Sequence, residues 1–248
     1  MNQSFYIGAT AAHQQNMRMG VVGNNISNVN TYGFKAEKAR FNALMYDTLK
    51  EAGGREQRIG VGTALCGTDT DHTTGAAAQT GRTLDYMVQG EGFFGLMDIN
   101  SGEITYTRSG AFQASRMLRP TGETQEDGTP VMAEKLYLTD GDGHFVLSDT
   151  GSAIEVTDPE EPLPIGVFDL INYNGMRHVG GTRFAAQEKN GGLRYGTGKA
   201  VQGMLETSNV DLAEEFTKMI ESQRAYSMAL KMVQTSDEIE STINGLRG

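Results

Sequence analysis

The sequence predicts an α+β fold, with a long helix at each end and an all-β domain between them. Three observations predict it. Apolar or small residues recur at alternating spacings of three and four from Phe5 to Val29, and again from Leu212 onward, which is the period of one helix face. Short apolar stretches separated by Gly and Asp turns fill the middle of the chain. Glycine is abundant, at 32 of 248 residues, and proline scarce, at 5, which suits many turns between short strands. The expected boundaries are 1–33 for the N-terminal helix, 34–81 for an extended or irregular linker and 82–188 for the central β domain. A return linker at 189–207 and the C-terminal helix at 208–248 complete the chain.

The first stripe reads Phe5, Gly8, Ala12, Gln15, Met19, Val22, Ile26, Val29. Gln15 interrupts it and Gly8 weakens it. Asn24, Asn25, Asn28 and Asn30 gather toward its end, where side-chain amides compete for backbone hydrogen bonds and disfavour a helix interior. Gly33 then supplies a left-handed stop. The asparagines read both as caps and as seam residues that fix register between neighbouring helices at some cost in stability; a mixture is expected.

From residue 34 to 81 periodicity is weak, and Arg55 to Gly81 is rich in Gly and Thr, so this stretch reads as linker. Strand-like segments follow at Leu84–Gln89, Phe93–Met97, Ile104–Thr107, Leu136–Leu138, Phe145–Leu147, Ile154–Val156 and Ile165–Leu170. Their spacing argues a sandwich or barrel-like domain. Three of the five prolines mark a loop at 158–164, and the glycines of 189–198 mark the return.

The last helix opens with Ser208 or Asn209 as its expected N-cap, and Asp211, Glu214 and Glu215 place negative charge where the helix dipole favours it. Leu212, Phe216, Met219, Gln223, Tyr226, Leu230 and Val233 form its stripe, Ile220 widens it, and Ile239, Ile243 and Leu246 continue it in a shifted phase toward an end frayed by Gly245 and Gly248. Neither stripe has a third helix to cover it. Pairing the two leaves apolar surface outward, and such surface marks an interaction site. The expected interface residues are Phe5, Ala12, Met19, Val22, Asn24, Asn25, Ile26, Asn28 and Val29 on the first helix. On the second they are Leu212, Phe216, Met219, Ile220, Gln223, Tyr226, Leu230 and Val233.

Composition narrows the function classes. The net charge is −10, and the densest basic stretch (Lys35, Lys38, Arg40) is interrupted by Glu37, so nucleic acid and anionic membrane surfaces are excluded as partners. A single cysteine, Cys66, closes no intrachain disulfide and builds no cysteine-based zinc site; it reads as a bystander thiol. No apolar run approaches the ~20 residues that span a bilayer, so no membrane insertion is expected. The N-terminus lacks the basic start and apolar block of a cleavable secretory signal. Apolar content of 38% is low for a globular chain and points to stability drawn from partners.

Candidate chemistry is thin. Gly90-Glu91-Gly92-Phe93-Phe94-Gly95 fits a dinucleotide-binding string, but strand-like sequence follows where a helix N-terminus is needed, so it reads as a hairpin turn. Asp140-Gly141-Asp142-Gly143-His144 begins like a calcium loop, yet position twelve is Gly151 rather than glutamate. His13, His72, His144 and His178 show no paired spacing for a metal. Ser109 lacks the flanking glycines of a nucleophile elbow. The many carboxylates read as solvated surface, although a glycosidase-like pair among them stays open. No catalytic, cofactor-binding or metal residues, and no cofactor, are expected.

Several longer motifs carry a resemblance. Asn24-Asn25-Ile26-Ser27-Asn28-Val29-Asn30-Thr31-Tyr32-Gly33-Phe34-Lys35 closely resembles the signature that closes the N-terminal helix of flagellar rod and hook axial proteins. Leu84-Asp85 through Gly90-Glu91-Gly92-Phe93-Phe94, then Tyr106-Thr107-Arg108-Ser109-Gly110-Ala111-Phe112, is similar to that family's central β motif. Gln202-Gly203-Met204-Leu205-Glu206-Thr207-Ser208-Asn209-Val210-Asp211 resembles its C-terminal entry motif, completed by residues 219–226 and 235–239. Residues 117–132, with acidic Glu123 to Asp127, depart from the family pattern.

The resemblance implies a structural subunit of the flagellar basal-body rod. Its terminal helices would pair as a coiled-coil-like layer lining an axial channel, ordering fully on assembly, with the β domain outside. The product would be a hollow drive shaft carrying torque from motor to hook. Implied partners are copies of the chain, other rod and hook proteins and the flagellar type III export apparatus, which needs no cleavable signal; the implied location is the basal body. A hook or hook-junction subunit of the same family is the alternative, favoured by Val210-Asp211-Leu212 with Glu215-Phe216-Thr217. A more remote alternative is a β domain that binds a ligand or acts enzymatically on cell-wall glycan.

Overall fold

In a computed structural model of the protein, residues 3–44, 46–50, 56–60, 62–124, 130–195 and 197–246 are described. The side chains of 46–50, 56–59, 119–124, 130–133 and 195 are not, and residues 125–127 of the acidic stretch, Arg55 and Gly248 lie outside the described residues. The fold is mixed α+β, with a helix near each end and a β-rich middle. It divides into two compact units: residues 1–29, 36–71 and 210–248 form one, and residues 30–35 and 72–209 the other.

The first unit holds helix α1 (Gln3–Ser27), strands β1 (Glu37–Ala43), β2 (Tyr46–Lys50), β3 (Glu56–Gly60) and β4 (Thr63–Thr70), and helix α2 (Leu212–Gly245). β1 pairs antiparallel with β4 and β2 with β3, so much of the stretch expected to be irregular linker is a nested ribbon. The sequence signal was weak because a two-stranded ribbon has no core to fill. In β1, half-buried Ala39 and Phe41 alternate with exposed Lys38 and Arg40, and the long polar side chains mask the period of two. Cys66 is exposed on β4, its thiol donating to the Arg40 carbonyl across the pair at 3.2 Å.

Helix limits also differ from expectation. α1 ends at Ser27, six residues before Gly33, and the Asn24 carbonyl of its last turn accepts both the Asn28 N–H at 3.1 Å and the Asn28 side-chain amide at 2.9 Å. α2 is capped by Asp211 rather than Ser208 or Asn209. One Asp211 carboxylate oxygen accepts the N–H groups of Ala213 (2.9 Å) and Glu214 (3.3 Å). The final apolar residue, Leu246, lies just past the helix.

The second unit is antiparallel β structure. Its strands are β5 (Ala77–Gln79), β6 (Tyr86–Gln89), β7 (Phe93–Met97), β8 (Ile104–Thr107), β9 (Gln113–Thr124), β10 (Pro130–Thr139), β11 (Phe145–Val146) and β12 (Val167–Leu170). β13 (Arg177–Gly180), β14 (Arg183–Ala185), β15 (Leu193–Tyr195), β16 (Lys199–Gln202) and β17 (Met204–Glu206) follow. The main sheet runs β13-β14-β8-β7-β11-β10-β9, with β12 pairing β7 and β15. β16 pairs β6, and β17 pairs β5. The expected return linker is therefore largely strand. Its apolar residues are too few and short to signal it, since β16 and β17 borrow pairing from residues more than a hundred positions earlier and β15 from β12.

Phe93 and Phe94 are both fully buried because successive strand residues face opposite sides of a sheet. Phe94 packs with Tyr86, Val88, Leu96, Phe112 and Leu138, while Phe93 joins Tyr106 and Phe184 in a second cluster. The Tyr86 hydroxyl accepts the Leu163 N–H at 3.1 Å, and burial pushes its pKa up. Gly90 and Gly92 adopt φ of 107° and 118° in the turn between β6 and β7, and a strand follows them rather than a helix. That turn is not a hairpin, because β6 and β7 do not pair with each other.

Candidate assembly surface

The helices of the first unit pack side by side and antiparallel. Ser4 and Ser236 hydroxyls meet at 3.2 Å, Arg18 and Glu221 pair at 3.6 Å, and the Asn25 amide donates to Glu215 at 3.1 Å. The contact is close: a Cβ added at Gly8 would lie 2.9 Å from Val233 and 3.3 Å from the Ala229 carbonyl oxygen. Close backbones exclude large side chains, so the seam selects small and short polar residues. On α2 the buried positions are Glu215, Ser222, Ala229 and Ser236, each seven residues apart, and on α1 they are Gly8, Ala12, Val22 and Asn25. Sequence reasoning missed the α2 set. Its signal was the sevenfold spacing of small residues, which is overlooked when only apolar residues are tracked.

The predicted interface residues therefore separate. Ala12, Val22 and Asn25 are buried, and Met19, Ile26, Asn28, Val29, Met219, Tyr226 and Val233 are half-buried. Phe5, Asn24, Leu212, Phe216, Ile220, Gln223 and Leu230 stay exposed. Along α2 the exposed apolar residues lie on one flank of the seam from Leu212 through Phe216 and Ile220. Leu230 keeps to that flank, Met228 and Ile239 fall on the other, and exposed Ile243 continues the sevenfold row beyond Ser236.

Asn25 is engaged within its own chain. Its side chain pairs with the Glu37 backbone twice, donating to the carbonyl at 2.8 Å and accepting the N–H at 2.9 Å, while it also binds Glu215. One amide thus ties α1, the start of β1 and the first turn of α2. Lys218 holds Glu214 at 2.8 Å and Glu215 at 2.7 Å in that turn. Burial pulls the Lys218 pKa down, but the two carboxylates more than offset it and leave it raised.

Among the described residues of the second unit, one group could offer ligands to a cation. Asp140, Asp142 and His144 each present an atom within 4.8 Å of the others, so His144 is less isolated than its sequence position implied. Arg183 already occupies this ground, 2.5 Å from His144 Nε2 and 3.3 Å from Asp142. A metal would have to displace a guanidinium. In the cleft beside it, about 380 Å³ and lined by Tyr32, Ser109, Asp140, Asp142 and Arg183, Arg183 is paired with Asp142 and Asp140 accepts the Gly141 N–H at 2.7 Å. His72 lies among Phe93, Tyr173 and Phe184. No helix among the described residues is long and apolar enough to cross a membrane.

Paired helices with an apolar flank, in a chain that also carries an antiparallel β unit, are the equipment of a structural protein that assembles rather than of a catalyst. Comparison with known proteins gives the same class. Residues 5–35 match the family described as flagella basal body rod protein, and residues 201–246 match the C-terminal region described for the flagellar basal body rod FlgEFG proteins. The chain is 32% identical to the flagellar basal-body rod protein FlgG of Buchnera aphidicola from Acyrthosiphon pisum, over 99% of this chain and 100% of the relative. It is 32% identical to FlgG of Bacillus subtilis and 25% identical to the flagellar hook-basal body complex protein FlhP of the same organism, with both chains fully covered in each case. The chain belongs to the flagellar basal-body rod protein family, which is structural and not enzymatic.

Proposed function

We propose that this chain is a structural subunit of the flagellar basal-body rod that polymerises through its terminal helices into a hollow shaft, carrying torque from motor to hook. α1 and α2 act as a coiled-coil-like inner layer, neighbouring copies and other rod and hook proteins cover the apolar flank of α2, and the chain travels by the flagellar export apparatus. One observation carries the reading: Phe216, Ile220 and Leu230 stay exposed on α2 although α1 is packed against it, because small residues take the seam. Exposed apolar area of this kind is stabilised by burial against a partner, at about 25 cal/mol per Å². The residues expected at the interface but buried in the chain's own seam, Ala12, Val22 and Asn25, serve by holding the helix pair together.

The test is truncation. Deleting 1–29, or 212–248, leaves the β unit intact, since residues 30–35 belong to that unit and are retained. Such chains should fold their β unit yet be missing from purified basal bodies. A truncated chain recovered in basal bodies at wild-type level rejects the reading.

A further inference from the structure

Within the β unit, three charged side chains from distant stretches share one buried site. Lys35 and Glu206 have side chains with 0% exposure and Arg108 has 4%. Lys35 Nζ lies 2.5 Å from Glu206 Oε1 and donates to the Thr73 carbonyl at 2.7 Å. Arg108 donates to Glu206 Oε2 at 3.1 Å and to the Gly90 carbonyl at 2.9 Å, and its guanidinium lies 5.3 Å from the centre of the Phe93 ring. Glu206 Oε1 also accepts the Gly75 N–H at 2.8 Å, and the Glu206 carbonyl accepts the Gly33 N–H at 2.8 Å. Nearby, the Asn209 amide donates to the Thr73 carbonyl at 3.2 Å.

The chain passes between the two units at 29/30, 35/36, 71/72 and 209/210. The β-unit segments at those passages are 30–35, 72–76 and 206–209, and all three meet at Glu206. Gly33 reinforces the convergence: its φ of +70° and a would-be Cβ contact of 2.2 Å with the Ser109 backbone leave room only for glycine. Arg108, held by Gly90 and the buried Phe93, roots the cluster in the core of the unit.

We infer that Glu206 is a positioning residue, whose carboxylate, balanced by Lys35 and Arg108, anchors to the β-unit core every segment through which the chain joins its two units. In a rod subunit these covalent passages carry load between units, so the inference rests on the proposed function for its purpose, though not for its geometry. Three segments hydrogen-bonded at one buried, unscreened charge share a pull applied to any one of them. A buried pair stripped of one partner is strongly destabilised, which is why the cluster holds as a set.

The experiment is amide hydrogen exchange on the free full-length chain, wild type against Glu206→Gln. The Gly75 amide bonds the substituted side chain directly, but the acceptor of the Gly33 amide is the backbone carbonyl of residue 206, which the substitution leaves in place. Faster exchange at Gly33 therefore reads release of the segment rather than loss of one bond. The expected result is acceleration at Gly33 by about tenfold or more, the scale of a charge-assisted hydrogen bond, with Phe94 and Leu96 in the core unchanged. Lys35→Met, which keeps the stem and removes the charge, should accelerate the same amide and serves if Glu206→Gln does not fold. Wild-type exchange at Gly33 in both variants, or equal acceleration of Gly33 and Phe94, overturns the anchor. Recovery of the wild-type chain in basal bodies tests the rod reading separately, because the exchange measurement involves no assembly.

Discussion

Phe216→Asp separates a residue that holds the chain together from one that holds chains to each other. The ring is 51% exposed in the chain by itself. A phenylalanine carries roughly 200 Å² of apolar surface, so about 100 Å² remains for a neighbour to cover. At about 25 cal/mol per Å² that contact contributes about 2.5 kcal/mol per subunit, before the further few kcal/mol of burying an unpaired carboxylate. The free chain should barely respond. An exposed substitution costs about 0.5 kcal/mol or less. The assay pairs thermal unfolding of the monomer, followed by circular dichroism, with counts of completed basal bodies and swimming speed. The expected outcome is an unchanged melting curve with rod assembly lost. A large fall in monomer stability would place Phe216 in an internal seam, and normal motility would remove it from any packed interface; either result refutes the reasoning.

Two further outcomes follow from particular atoms. Gly8→Ala pushes a methyl to 2.9 Å from Val233, so the crowding of about 1–3 kcal/mol should outweigh the gain in helix propensity and lower the helical melting point; Gly20→Ala, with nothing within 4 Å, should raise helix stability by about 0.5–1 kcal/mol. Shifts of the same sign in both would contradict the close seam. The Asp98 carboxyl is held below the usual range, first by the Ser101 hydroxyl and then by the Asn100 N–H. A depressed carboxylate pKa adds stability above its unfolded value and loses it as pH falls through the folded value. Ser101→Ala should raise the Asp98 pKa, read by carbon-detected NMR titration, and an unmoved titration would show that the hydroxyl is not the cause.

Both helices, the apolar strands and the turns of the β unit were legible in the residues, as was the outward apolar face of α2. Each depends on local chemistry: a period of 3.6 or two, acidic charge at the start of a helix, a glycine at positive φ. The ribbon of β1 to β4 was not legible, because lysine and arginine stand where a solvated strand face tolerates them. Nor were the last two strands before α2, β16 and β17, whose pairing partners lie more than a hundred residues away.

By itself, then, the sequence determined the α+β order, the motifs of a rod-family chain and an apolar face in need of cover. Only the tertiary structure decided which face of α2 meets α1, since a close backbone approach selects Ser222, Ala229 and Ser236 over the larger apolar residues beside them. It alone gathered Lys35, Arg108 and Glu206, whose partners lie 171 and 98 positions apart. A buried charge is tolerated only where its counter-charges arrive, and that meeting is set by the folding of the whole unit, not by any residue's neighbours in the chain.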